Sequence, residues 1–274
     1  FDAVCRDGKL LQVRDTLQAE IAAMAEPGYE GPRVVRTFLV TSDDDGQAWS
    51  DPRELTEQMK RDAPVVANFT GPGVAIVLER GEHAGRIVVP SCDFVVRDGK
   101  RVFRSYCCYS DDGGETWTMG NHTPNADQRG NGNETQVEEL TDGRLILSVR
   151  ARGQRQFAYS DDAGHTWSAL VAHRDVPDSG CMGCLLRYDL ESGESLLLYS
   201  GSAGRIDGRR SIGTVFVSQD AGQTFPHQRV YHPGSFDYSS MIFATAIGWL
   251  IFGEIPTPTI LIGAALVIAG GVLI

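Results

Sequence analysis

Residues 110–117 read SDDGGETW, and the same grammar returns three times: SDDDGQAW from Ser42, SDDAGHTW from Ser160 and SQDAGQTF from Ser218. Each is Ser-x-Asp-x-Gly-x-x-aromatic, and the four serines lie 68, 50 and 58 residues apart. The pattern has the chemistry of a tight hairpin turn. Asp and Ser side chains accept hydrogen bonds from nearby backbone N–H groups, glycine supplies a positive φ, and the ring folds back to pack between strands. Asp44, Asp112, Asp162 and Asp220 therefore read as structural residues and not as catalytic acids. DDDG also opens calcium loops, but the long ligand series of such a loop is missing here.

Outward from the boxes the chain is a succession of short apolar runs, among them RVVRTFLVTS, GRIVVPSCDFVV, RLILSVRAR, SLLLYSGS and GTVFVSQD, separated by Gly, Asp and Asn. These are strand and turn signals. Helical periodicity occurs once, in DTLQAEIAAMAEPGYEG at 15–31, and predicts a short helix inside a long loop. Repeats of about 50 residues built from four short strands describe β-propeller blades. The expected class is all-β.

The 274 residues carry a net charge of −11 with a pI near 5.0. Without a basic face, a nucleic-acid partner is excluded. The charge stops abruptly: from residue 241 to 274, Glu254 is the only charged side chain. The six cysteines are Cys5, Cys92, Cys107, Cys108, Cys181 and Cys184. Cys107 and Cys108 should face opposite sides of one strand. Cys181 and Cys184 have CxxC spacing but no second pair, so free buried thiols are expected rather than zinc. No ligand cluster for a metal or organic cofactor is evident.

Several longer stretches resemble the exo-α-sialidase (neuraminidase) family, glycoside hydrolases with a six-bladed propeller that carries such boxes on its outer turns. They are FTGPGVAIVLERGEHAGRIVVPS (69–91), GNETQVEELTDGRLILSVRARG (132–153), GCMGCLLRY (180–188), GRRSIGTVFVSQDAG (208–222) and SFDYSSM (235–241). The resemblance implies retaining hydrolysis of terminal sialic acid from glycoconjugates. It places Tyr238 as nucleophile and Glu134 as the glutamate that activates it, the tyrosine nucleophile being the family's departure from the two-carboxylate scheme. A neutral phenol avoids the repulsion that a carboxylate nucleophile would meet at the carboxylate-bearing anomeric carbon. Arg150 and Arg210 match two members of the triad that grips the substrate carboxylate, with Arg209 as the alternative to Arg210. Guanidinium forks bind carboxylates in bidentate fashion. The family's opening Phe/Tyr-Arg-Ile-Pro stretch, with the third arginine, has no counterpart, and FDAVCRDGKLL resembles the segment after it. The acid/base aspartate would then fall between residues 11 and 34, where Asp15 is taken over Glu20, Glu26 and Glu30. Sialylated glycans are the implied partners, and a non-catalytic box propeller that binds glycans or proteins is the alternative.

Residues 241–252 (MIFATAIGWLIF) and 260–274 (ILIGAALVIAGGVLI) resemble the last membrane hairpin of drug/metabolite transporters. Both runs are shorter than a full span, they lack Lys or Arg flanks, and their small residues suit close helix packing in lipid. The expectation is thus a sialidase-like propeller over 1–240, incomplete at both ends and weakly active or inactive. A helical hairpin of foreign origin over 241–274 would be its only membrane contact.

Overall fold

The computed structural model describes residues 2–6, 9–15, 25–128 and 130–235, with side chains placed over 25–128 and 130–234. Among these residues the chain forms four antiparallel sheets. The first is β1 (Asp2–Arg6), β2 (Lys9–Asp15), β3 (Thr37–Ser42) and β4 (Arg53–Glu54). Helix α1 (Thr56–Met59), a single turn, follows. The second sheet orders β5 (Ala67–Phe69), β7 (Ile87–Arg97), β8 (Lys100–Ser110) and β9 (Thr118–Met119), with β6 (Ile76–Val77) also paired to β7. The third runs β10 (Thr135–Glu139), β11 (Leu145–Val149), β12 (Arg152–Ser160) and β13 (Val171–Ser179). The fourth runs β14 (Cys184–Asp189), β15 (Ser195–Ile206), β16 (Arg209–Ser218) and β17 (His227–Ser235).

Each box serine is the last residue of its sheet's third strand, so the four boxes occupy equivalent turns. Their bonds repeat. The serine hydroxyl donates to the box aspartate at 2.7–2.8 Å. It accepts the N–H of Gly46, Gly114, Gly164 or Gly222 at 2.8–2.9 Å. The aspartate accepts the N–H of Ala48, Thr116, Thr166 or Thr224 at 2.8–2.9 Å. These glycines have φ between +82° and +97°, the left-handed region in which a side chain is strained. The side-chain and backbone donors of Thr116, with the Ser110 hydroxyl, hold the Asp112 carboxyl down at about 2.

The sheets stack face to face in chain order, and β7, β10, β11 and the second half of β8 are buried on both faces. Cys107 and Cys108 demonstrate this, since both are 0% exposed. Cys108 packs with Leu39, Met59 and Trp117 between the first and second sheets, whereas Cys107 packs with Leu147, Val149 and Trp167 between the second and third. In β11, Leu145 and Leu147 face the second sheet while Ile146 joins Leu197 and Phe216 of the fourth. Double-sided burial makes RLILSV a continuous apolar run instead of an alternating one.

Four expectations need amendment or fall outside the description. Residues 16–24, which carry most of the predicted helix, lie outside the described residues, while Asp15 ends a strand and residues 25–31 are bends and irregular backbone. Gly28 and Gly31, at φ +91° and +124°, break helical geometry there. Of the box aromatics, Trp117, Trp167 and Phe225 are buried, but Trp49 is 41% exposed. Cys92, Cys107 and Cys108 are buried thiols, whereas Cys184 is exposed. The apolar stretch 241–274 lies outside the described residues, and among those described no helix is long and apolar enough to cross a membrane.

Candidate active site

Glu134 immediately precedes β10 and Arg150 immediately follows β11. The two strands are antiparallel, with Thr135 opposite Val149, so residues sixteen apart in sequence become neighbours at one end of the hairpin. Arg150 N–H donates to the Glu134 carbonyl at 2.9 Å, extending the ladder by one bond. Arg150 Nη1 donates to Glu134 Oε2 at 2.6 Å, and both side chains remain partly exposed, at 24% and 30%. A charge-assisted bond of this length fixes both groups while leaving the guanidinium other donors for a ligand. The approach to Glu134 is set by Gly132, at φ +89°, where an added Cβ would lie 2.4 Å from the Phe103 carbonyl oxygen.

Arg150 and Asn133 border a cavity of about 840 Å³ between the β7–β8 turn, residues 127–128 and 130–133, and the start of β12; Glu134 is not among its lining residues. Arg150, Arg152, Asn131, Asn133 and Gln154 line it with polar groups suited to hydroxyls and carboxylates.

Arg210 lies near the start of β16, exposed, with Nη1 4.0 Å from Cys181 Sγ. Arg209 is likewise exposed in the same strand. Glu26 is engaged locally, accepting from Arg33 through both its backbone N–H and guanidinium at 3.2 Å. Asp15 ends β2, and its side chain, like Glu20 and Tyr238, lies outside the described residues.

These turns, sheets and the paired Glu134 and Arg150 coincide with a match to the BNR repeat-like domain over residues 12–249. The chain belongs to that family. The match continues past the compositional boundary at 241. The chain is 34% identical over 230 residues to a sialidase of Micromonospora viridifaciens, covering 80% of this chain and 34% of that protein. It is 33% identical over 237 residues to a sialidase of Bacteroides fragilis, covering 82% and 41%. The chain thus spans about a third to two-fifths of the curated relatives it matches. Among solved structures, the Hadza microbial sialidase Hz136 superimposes with a TM-score of 0.73 at 26% identity, covering 85% of this chain and 45% of that one. An intramolecular trans-sialidase from Ruminococcus gnavus, in complex with oseltamivir carboxylate, gives 0.58 at 25% identity, covering 75% and 42%.

Within this BNR-repeat fold the residues behind the site are ones that sequence reasoning passed over. Arg155 and Asp178 form an ion pair at 3.1 Å with side chains 0% and 1% exposed. Arg155 also donates to Ser148 Oγ at 2.8 Å and to the Cys181 carbonyl at 3.0 Å. Its guanidinium lies 5.1 Å from the centroid of Tyr199, a phenol that burial pushes up to about 12. Arg155 is two residues before the buried Phe157 on β12. An arginine on the inward face of a strand was the available signal. A second buried carboxylate, Asp93, accepts from Arg104 Nε and His122 Nε2, each at 2.8 Å. Burial holds the His122 ring below its usual value, against the pull of Asp93.

Proposed function

We propose that the chain is part of a retaining exo-α-sialidase, its four sheets being consecutive blades of a six-bladed propeller. The observation that carries the reading is the Glu134–Arg150 pair, held at 2.6 Å at the shared end of β10 and β11 beside a polar cavity. In this reading the Arg150 fork keeps one bond to Glu134 and offers its remaining N–H groups to the substrate carboxylate. Arg210 supplies a second cation. Glu134 then serves as base for Tyr238, whose phenolate attacks the anomeric carbon as the leaving alcohol departs with a proton from an acid, for which Asp15 is the candidate. Water, deprotonated by that same group, releases sialic acid and restores the tyrosine. The sialidase relatives at 33–34% identity support this assignment.

A fluorogenic sialoside tests it. Turnover should fall at least 10²-fold in Glu134→Gln, on the scale of losing a general base, and Arg150→Lys should raise KM more than it lowers kcat. A 3-fluorosialosyl fluoride should add one sugar mass to the peptide that contains residue 238. Binding of a sialic acid analogue without turnover or labelling would convert the assignment to a glycan-binding propeller. Absence of both binding and turnover would remove it.

A further inference from the structure

The arginines assigned to the substrate carboxylate sit in different sheets, sixty positions apart, and something must set their relative position. We infer that Asp178 is that positioning residue; this rests on the sialidase reading. The residue is the last but one of β13, the outer strand of the third sheet, and its two oxygens serve different groups. Oδ2 accepts the Ala151 N–H at 3.0 Å and Arg155 Nη1 at 3.1 Å. Oδ1 accepts the Gly180 and Cys181 N–H groups at 2.8 and 3.1 Å.

Ala151 lies in the two-residue connection between β11 and β12, outside both strands. Its N–H has no ladder partner there, so the carboxylate of Asp178 is the group that pins the backbone next to Arg150. The 178–181 turn carries Cys181, whose sulfur approaches Arg210. From the same turn Ser179 Oγ donates to Ser202 Oγ at 2.7 Å, which donates to the Ser211 carbonyl at 2.8 Å, one residue from Arg210. Arg205 closes the link by donating to the Ser179 carbonyl at 3.1 and 2.9 Å. One buried carboxylate therefore ties the segment bearing Arg150 to the segment bearing Arg210. Arg155 and Asp178 lie on paired strands of one sheet, and the oxygen that accepts from Arg155 also accepts the N–H of the Arg150 connection, a contact that joining β12 to β13 does not require. Arg155 holds Asp178 in place through the 3.1 Å ion pair.

The test measures affinity for a 2,3-unsaturated sialic acid analogue and for its methyl ester, which lacks the charge. In folded Asp178→Asn, the preference for acid over ester should fall at least tenfold. It should fall no further when the change is made on an Arg150→Ala background, because the effect passes through Arg150. Asp178→Glu should restore part of the preference. If Asp178→Asn does not fold, the charge-neutral double variant Arg155→Gln/Asp178→Asn, which leaves no lone buried charge, is measured instead with the same expectations. A folded variant that keeps the acid preference, or that loses as much again on the Arg150→Ala background, overturns the inference. Should the wild-type chain bind neither compound, the sialidase reading fails and the positioning role is read without sugar. The Arg150 Nε–H signal should exchange with solvent at least tenfold faster in the folded variant, and unchanged exchange overturns it.

Discussion

Single side chains in this protein divide into those that close turns and those that hold buried charge. Ser110 is 1% exposed and its hydroxyl is the acceptor for the Gly114 N–H. Ser110→Ala leaves that N–H buried without a partner and should cost about 1–3 kcal/mol in denaturant unfolding. Asp112, held at about 2, has a folded value below its unfolded one. Its contribution is present above the ordinary aspartate range and is lost as pH falls from about 4 towards 2. Asp112→Asn should therefore flatten acid unfolding in that window and leave it unchanged in shape near neutrality. Arg155 is the opposite kind of residue, wholly buried against Asp178. Arg155→Met strands a carboxylate in the interior and should cost about 3–5 kcal/mol, measured as a shifted urea midpoint. The box aspartates were legible in sequence because their partners lie within six residues. The partner of Arg155 lies 23 positions away in another strand, a pairing that no local pattern encodes.

Between elements, the decisive variable is whether a side chain lies between two of the described sheets. The same box position holds Trp117, 6% exposed between the first and second sheets, and Trp49, 41% exposed. Trp117→Ala should cost about 3–5 kcal/mol through lost burial and the cavity it leaves. Trp49→Ala should cost under about 1 kcal/mol, so comparing the two melts checks the stacking order directly. The apolar runs announced strands, and their lack of alternation is explained by burial on both faces. Most of the helical pattern at 15–31 falls on residues 16–24, outside the described residues.

Across the molecule, buried carboxylates link the second, third and fourth sheets. Glu139 accepts the backbone N–H groups of Glu79 and Arg80 at 2.8 and 3.1 Å. Its own carbonyl accepts Arg187 Nη1 at 2.9 Å. Neighbouring Glu138 accepts the Arg187 N–H at 3.0 Å, and burial raises its carboxyl above the ordinary glutamate value. The sign follows from that direction. The folded state holds the Glu138 proton more tightly than the unfolded chain does, so the cost of the buried charge is absent at low pH. It grows as pH rises through the usual glutamate range and the raised folded value. Glu138→Gln should therefore raise Tm at pH 8, by about 2–4 °C if ~1 kcal/mol is recovered, and should leave Tm unchanged at pH 4.

Short-range chemistry is written openly in this chain. Four boxes, the strands that precede them, and the antiparallel return that brings residue 150 to residue 134 all depend on hydrogen bonds made within a turn or one hairpin. The stacking of sheets decided the rest: which box ring is buried, and why Cys107 and Cys108 enter two different cores. Those outcomes depend on surfaces that meet only after separate hairpins have formed. Burial and dielectric are properties of the assembled interior, and a linear order of residues specifies them only through the fold.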